Sequence, residues 1–469
     1  MEKEELIELT VESIGFEGIS IARKDGIVYF VKNGLPGDRV IARVKRKRRR
    51  YYEAEIKEII SPSNYRIAAQ CIYFDYCGGC SWQHLSYDQQ LFWKKQHIKD
   101  AFERLAKIEP EEIFDTLPSP KQFHYRNKME FSFGTSRWLM PEEIDGEAEI
   151  EQKNFALGLH VSGRYDKIID IEECLIQPEI GNLILEVIRE KALTFGATAC
   201  DTRKRTGFLR NLIIRKSEAY NELMVVLVTS EAGCDGDNQF IEWYYNDFSD
   251  LMPNINVIAH ALNTTISPVA TGELSFIKGE EYIVERIFDI DFRISPFSFF
   301  QTNSSQLNRF IEKIIDFSEV SDEDFLWDLY CGTGSITLPL AMKSKGVVGI
   351  EMVESSIEDA QKNAVLNGIE NVQFICQDLH SKRIGELLFS LPRPDTIIID
   401  PPRAGMHNNL IKLLLEMAVK RVVYVSCNPS TQARDVELLS EKYRLIKIQP
   451  VDMFPHTYHI ESIALLELK

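Results

Sequence analysis

The chain has 469 residues, too many for one ordinary core; at roughly 150 residues per domain it predicts about three. Its 44% hydrophobic content is ordinary for a soluble protein, no run approaches the roughly 18 apolar residues of a membrane span, and the start MEKEELIELT is charged where a signal peptide would be apolar. The chain therefore reads as cytoplasmic, and nothing in it demands more than a monomer.

The net charge of -17 argues at first against a nucleic-acid binder, but it is unevenly placed. Residues 1–60 hold 13 Lys or Arg against 11 Asp or Glu, and the run KRKRRR at 45–50 leads straight into Tyr51 and Tyr52. A solvated charge run is the plain reading, yet a basic strand with adjacent aromatics also suits a phosphate backbone and its bases. Overall acidity does not exclude RNA, because affinity follows the local field.

Five short strand patterns fill residues 6–60, separated by turn signals at Glu17-Gly18, Asp25-Gly26 and Asn33-Gly34. They predict a small barrel of the oligonucleotide-binding kind, closed off by Pro62. Next come Cys71, Cys77 and Cys80, a C-x5-C-x2-C spacing that wraps a short loop around a metal centre. From spacing alone zinc and an iron-sulfur centre are both open. A helix is expected over roughly 86–107, and strand-rich α+β structure over about 120–290. The acidic stretch 141–152 interrupts the latter as an exposed loop.

From about residue 305 strand and helix alternate, which predicts a doubly wound, mostly parallel sheet with helices on both faces. The expected architecture is a multidomain α/β protein. A barrel covers 1–62, a cysteine segment with a central α+β unit 63–295, and a Rossmann-like domain 296–469.

Ligands of such sheets bind at the carboxyl ends of the strands, and the motifs fall there. In WDLYCGTGSITL a strand ends at Asp328 and Gly332 and Gly334 allow a tight turn, but Thr337 stands where a dinucleotide fingerprint needs a third glycine. Glu351 ends the next strand, placed for ribose hydroxyls, and Asp378 the one after, placed for an adenine amino group. This series suits S-adenosylmethionine (SAM), whose linker needs no pyrophosphate cradle.

The following strand ends are IIIDPPR, with Asp400, and VSCNP, with Cys427, while HTYHIESIALL puts Glu461 at the start of an apolar strand. A thiol beside SAM suggests pyrimidine chemistry. Carbon 5 of uracil is too weak a nucleophile to take a methyl group unaided; thiolate addition at carbon 6 makes an enolate that can. A base must then remove the proton from carbon 5, and Glu461 is the candidate.

With these residues in view the chain resembles the RNA 5-methyluridine (uracil-5-) methyltransferases, of the iron-sulfur-containing 23S rRNA type with an N-terminal TRAM domain. The matching stretches are CGGCSWQH, HYRNKMEFSFG, FFQTN, DLYCGTG, DPPRAG, SCNP and DMFPHTYHIE. The resemblance implies Cys427 as nucleophile, Glu461 as base, and Gln301, Tyr330, Gly332, Glu351 and Asp400 around SAM, with Gln301 and Asp400 near the uracil. Asp378 rests on the strand-end reading. His459 and Arg403 would shape the pocket. The resemblance also implies a 4Fe-4S cluster on Cys71, Cys77, Cys80 and Cys174; Cys200, Cys234, Cys331 and Cys376 lack this setting and read as ordinary thiols. RNA contacts are expected at 45–52 and at Arg126, Asn127 and Lys128.

The expected partner is 23S rRNA, with the T-loop uridine of transfer RNA as the alternative. An iron-sulfur protein that merely binds RNA, or a non-catalytic RNA-folding factor, is the reading from another class. A redox-active cluster without methyl transfer would favour the former, and the latter would tolerate loss of Cys427.

Overall fold

The structure, a computed structural model, describes residues 5–145, 152–265 and 267–469. The five N-terminal patterns form strands β1 (Leu6–Ile14), β2 (Ser20–Lys24), β3 (Ile27–Lys32), β4 (Arg39–Lys47) and β5 (Tyr51–Ser61), closed into a barrel in the order β1-β2-β3-β5-β4. Alternation puts Leu9, Val11, Tyr29, Val31, Val40 and Ala42 inside. Buried Asp38 accepts from the backbone N–H of Leu35 at 2.7 Å and of Ser63 at 2.8 Å and pairs with Arg66, so the chain leaving the barrel is pinned to it.

The expected helix runs from Tyr87 to Ala101 and continues as a π-helical turn over Phe102–Ala106. Its polar face is buried and has a purpose. Lys94, fully enclosed, bonds Asp452 at 2.5 Å and the Phe454 carbonyl at 3.0 Å, and Gln90 accepts from the His456 N–H at 2.8 Å. Ser81 and Trp82 N–H groups donate to the His456 carbonyl, both at 2.9 Å. The CGGCSWQH segment and this helix therefore clamp the DMFPHTYHIE loop, two motifs more than 350 residues apart.

The next strand, β6 (Glu112–Ile113), leaves this neighbourhood to join the C-terminal sheet. The central sheet holds β7 (Lys128–Gly134), β8 (Arg137–Trp138), β9 (Ala156–His160), β10 (Ile168–Asp170), β11 (Leu209–Lys216), β12 (Leu223–Thr229), β13 (Val257–Leu262) and β14 (Glu273–Gly279), in the order β14-β13-β12-β11-β7-β9-β10-β8. The helices Glu179–Phe195 and Asp235–Asn246 cover one face through Ile184, Leu185, Phe240 and Trp243. In the acidic stretch Pro141–Asp145 is a short helix, a departure from the expected loop; residues 146–151 lie outside the described residues. A hairpin of β15 (Ile283–Ile287) and β16 (Ile290–Ile294) leads onward.

The C-terminal sheet contains β17 (Phe325–Leu329), β18 (Gly346–Glu351), β19 (Val372–Cys376), β20 (Thr396–Ile399), β21 (Arg421–Ser426), β22 (Tyr443–Val451) and β23 (Glu461–Leu468), in the order β19-β18-β17-β20-β21-β23-β22-β6. The first five are parallel; β23 runs antiparallel to β21. Its inner strands are apolar on both faces because helices cover both. Ile397, Ile398 and Ile399 are fully buried, each contributing about 1.5–3 kcal/mol. Strand order reverses at β17, between β18 and β20, so a crevice opens at the carboxyl ends. Among the described residues no helix is long and apolar enough to cross a membrane.

Candidate active site

The first turn of the crevice follows β17. Tyr330, Gly332 and Gly334 have φ of 68°, 53° and 84°, and a Cβ on Gly334 would lie 3.2 Å from the Phe374 ring, so only glycine fits there without strain. Asp328 is fully buried, and its carboxylate accepts from the Thr337 hydroxyl at 2.6 Å, anchoring the short helix Thr337–Ala341. Burial, reinforced by Asp400 and Glu351, pushes Asp328 up to about 7.

Glu351 accepts from the N–H groups of Gly332 at 3.3 Å, Met352 at 2.8 Å and Val353 at 3.0 Å, which fixes its carboxylate across the glycine turn. Asp378 accepts from the His380 N–H at 2.8 Å, and the His380 ring lies 3.5 Å from the Tyr330 hydroxyl.

Asp400 follows β20, with its N–H on the Leu329 carbonyl at 3.2 Å; burial pushes it up to about 7. Cys427 follows β21 and precedes Asn428, which caps the helix Pro429–Leu439 by accepting from the Ser430 N–H at 3.1 Å. In the antiparallel pair Ser426 faces Ser462, so one further step sets Cys427 beside Glu461. Glu461 is only 5% exposed. Burial and the Asp400 charge raise its carboxyl well above the usual range, while Arg403 opposes them. Burial, Glu461 and Asp400 push the Cys427 thiol up to about 11, again against Arg403.

One cavity of ≈ 740 Å³ is lined by Gln301, Tyr330, Gly332, Glu351, Asp378, Asp400, Cys427 and Glu461, together with Arg403 and His459, while Asp328 lies buried behind it. Burial and the nearby Arg403 charge push His459 down to about 4, so its ring is neutral at pH 7. Phe299, 64% exposed at the rim, and Tyr125 also line the cavity; both lie within quoted motifs, FFQTN and HYRNKMEFSFG, but neither was singled out there, and His380, a further lining residue, lies outside every motif. Four carboxyl groups, Glu351, Asp378, Asp400 and Glu461, share the wall with Arg126 and Arg403, and the acidic excess suits a cationic ligand.

Two of the expected RNA contacts have partners within the protein. The Asn127 amide donates to the Gln301 carbonyl and the Ser304 hydroxyl, both at 2.8 Å, and Lys128 pairs with Glu130. Asn127 thus positions Gln301, while Arg126 lines the cavity itself. In the barrel, Lys45 pairs with Glu55 at 2.9 Å and Lys47 with Glu5 at 2.7 Å, whereas among the described residues Arg46, Arg49 and Arg50 make no ion pair. Tyr51 packs on Phe30 and Tyr52 on Tyr29.

Cys71, Cys77, Cys80 and Cys174 line a second, small enclosed cavity of ≈ 20 Å³ with Leu159, Ile171 and Ile176 around it. Burial pushes Cys77 and Cys80 up to about 12, and the thiols raise one another. Among the described residues no group of three or more His, Cys, Asp or Glu is arranged to hold a metal ion. The four thiols converge on the cavity without closing to the tight spacing of four sulfurs around one ion. Cys200, Cys234, Cys331 and Cys376 are free thiols away from it.

A family model described as tRNA (uracil-5-)-methyltransferase matches residues 245–469, and a TRAM domain model matches residues 3–57. An RNA methyltransferase of Bacteroides thetaiotaomicron, described as uncharacterized, is 38% identical over 456 residues, 97% of this chain and 99% of its own. Another from Chlorobaculum tepidum is 39% identical over 471 residues, 99% of this chain and 97% of its own. Among solved structures, Pyrococcus abyssi tRNA (uracil-54, C5)-methyltransferase in complex with S-adenosyl-L-homocysteine has a TM-score of 0.76 and 29% identity, covering 98% of this chain and 99% of that one. Relatives this similar along the whole chain, together with a family match that contains the crevice of strand ends, mean that the chain is an RNA methyltransferase of the tRNA (uracil-5-)-methyltransferase family with an N-terminal TRAM domain.

Proposed function

We propose that the protein forms 5-methyluridine in RNA with SAM as methyl donor, through a covalent bond between Cys427 and carbon 6 of the uracil. The observation that carries this reading is the β21–β23 register, which brings a thiol and a buried carboxylate side by side in the cavity that Glu351, Asp378 and the glycine turn also line.

The residues divide the work. The turn at Gly332 and Gly334 leaves room for the donor against the backbone, Glu351 accepts from its ribose and Asp378 from its adenine. The donor supplies an electrophilic methyl carrying positive charge, which the carboxylate wall favours. Cys427 loses its proton to solvent, adds to carbon 6 and thereby makes carbon 5 nucleophilic; carbon 5 takes the methyl group as the S–CH3 bond of the sulfonium breaks and its sulfur leaves neutral. Arg403 and the cationic donor offset the two carboxylates that hold the thiol protonated. Glu461, once it has given up its own proton to solvent, has a high proton affinity from burial and takes the proton from carbon 5, and the electron pair left behind expels the thiolate. Gln301 and Asp400, which line the same cavity, would bond the uracil edge. A stacked uracil is hidden from such a cleft, so the target is an unpaired or flipped base.

We propose that the cysteine pocket takes a 4Fe-4S cluster: its donor set is four thiols, the ligation such clusters take, and the ≈ 20 Å³ space between them would have to open around it. Cys71, Cys77, Cys80 and Cys174 would hold it. It would brace the CGGCSWQH segment against the catalytic loop and needs no role in the methyl transfer.

The barrel and the cysteine quartet together support 23S rRNA as target. The likeness of the whole chain to a tRNA uracil-54 enzyme favours a second reading, the T-loop uridine of transfer RNA. One experiment tests both. RNA carrying 5-fluorouridine cannot release the carbon 5 substituent as a proton, so turnover stalls as an adduct. Mass spectrometry of protein incubated with SAM and fluorinated 23S fragments or transfer RNA should find a methylated RNA joined to Cys427. Absence of an adduct with both RNAs, from protein that binds SAM, would overturn the proposal.

A further inference from the structure

A cavity larger than the catalytic one, ≈ 940 Å³, lies on the central sheet, lined by Ser132, His160, Tyr165, Arg205, Asn211 and Glu231 among others. Strand β7 joins the two. Its Met129, Phe131 and Phe133 are buried, while Lys128, Glu130 and Ser132 alternate onto a face that remains at least partly open. Arg126, just before the strand, lines the catalytic cavity and Ser132 lines the larger one. At about 3.3 Å per residue the two cavities are roughly 20 Å apart along the strand, a few nucleotides of extended RNA.

The larger cavity has the parts that a single unpaired nucleotide requires. The Asn211 amide donates to the Ser132 hydroxyl at 3.3 Å, which lies 3.1 Å from His160 Nε2; Asn211 itself is 8% exposed, so this polar chain forms the floor. Tyr165 stands at the mouth, 74% exposed and, among the described residues, in contact with no other ring. The cations nearby differ in what they already hold. Arg203 pairs with Asp166, Lys204 with Asp201 at 3.7 Å, and Arg210 donates to the Asn263 and Thr265 carbonyls at 2.6 Å. Arg205, exposed on the rim, makes no ion pair among the described residues.

We infer that this cavity binds one unpaired nucleotide of the substrate RNA, a few residues along the strand from the target uridine. The base stacks on Tyr165, its edge meets the Asn211–Ser132–His160 chain, and its phosphate meets Arg205. Glu231 accepts from an exocyclic amino group, which favours adenine, guanine or cytosine over uracil. A second phosphate beside Glu231 would be repelled, so the site takes one nucleotide rather than a run. The inference rests on the reading that RNA enters the catalytic cavity, and it adds a second point of recognition that would measure the target from its neighbours.

The test uses full-length protein with 23S fragments and transfer RNA transcripts substituted with 6-thioguanosine, which crosslinks on irradiation. A crosslink on Tyr165 or His160 is expected, and so is a roughly tenfold loss of RNA affinity in Tyr165→Ala and in Arg205→Gln with SAM affinity unchanged. Crosslinks confined to the barrel and the catalytic cavity, with RNA affinity of both variants within twofold of the parent, would overturn the inference. The two readings fail separately. A Cys427 adduct without engagement of the larger cavity removes only this inference, whereas a Tyr165 crosslink from protein that never forms an adduct removes the proposed chemistry and leaves the site.

Discussion

Cys427 and the cysteine quartet are displaced in the same direction by the same cause. Burial pushes Cys427 up to about 11 and Cys77 and Cys80 up to about 12. What differs is the source of positive charge that can turn each thiol into a thiolate. Cys427 opens into a 740 Å³ cavity with Arg403 beside it and room for a cationic donor and a base. The quartet faces a 20 Å³ space among Leu159, Ile171 and Ile176, where Arg126 acts on Cys80 and Cys174 from a distance and a group bound by the thiols themselves would supply the larger part of that charge. A raised thiol pKa therefore does not identify a catalytic cysteine; the shape and company of the space in front of it do.

The sharpest way to break the comparison is to remove one thiol from each place. Cys427→Ala should lower methyl transfer by about 10⁴-fold or more while SAM affinity and thermal stability stay near the parent's. Cys77→Ala should do the opposite in kind. It should abolish the visible absorbance of the proposed cluster and cost about 4 kcal/mol or more of stability, as expected when a tightly held group is lost from the native state. Activity and stability of the two variants, measured side by side, would erase the distinction if both changed together.

Glu461→Gln separates the two halves of the reaction. Methyl transfer precedes the proton removal assigned to Glu461, so the variant should accumulate a methylated covalent adduct on ordinary, unfluorinated RNA. Steady-state turnover should fall about 10²- to 10⁴-fold. A variant with slow turnover and no adduct would move the base elsewhere.

The pH dependence of SAM binding is a smaller effect with a defined sign. Asp400 is pushed up to about 7, so it is protonated below that pH and negative above it. A positive sulfonium prefers the ionised form. SAM affinity should therefore rise with pH between about 5 and 7, by at most tenfold per unit, and level off above. The neutral sulfur of S-adenosylhomocysteine should show a flatter profile. Asp400→Asn should flatten the SAM profile too, and titration calorimetry reads all three.

Much of this site was legible because a parallel sheet exposes its chemistry at one edge. Each of Asp328, Glu351, Asp400 and Cys427 ends or directly follows an apolar run, and such runs are easy to see. The barrel was equally plain, its turns marked by Glu17-Gly18, Asp25-Gly26 and Asn33-Gly34. What was hidden depends on distance in sequence. Strand β6 is two residues long and pairs with β22, and Lys94 meets Asp452 only in the folded chain. Read locally, Asn127 beside Arg126 suggested RNA; its two acceptors, Gln301 and Ser304, lie some 175 residues away. The helix Pro429–Leu439 had its signal in plain view, Asn428 as cap and Pro429 at the first turn, but it followed a motif whose chemistry drew the reading past it.

The weakest expected effect tests whether the barrel acts as a second, less specific region of contact. Lys45, Lys47 and Arg48 lie within ion-pair distance of Glu55, Glu5 and Glu53, so part of the KRKRRR charge is offset by carboxylates on the barrel's own surface. Arg49 and Arg50 sit in the turn between β4 and β5 and make no ion pair among the described residues, which leaves both guanidiniums available to phosphates. If each contacts one phosphate, Arg49→Ala and Arg50→Ala should each reduce the slope of log affinity against log salt by about 0.7 on single-stranded RNA. Such a loss would be nearly independent of RNA sequence and would leave the turnover of bound RNA unchanged. Tyr165→Ala should instead lower affinity without altering the salt slope, because stacking releases no counterions. That difference in salt response separates a contact that only holds RNA from one that reads it.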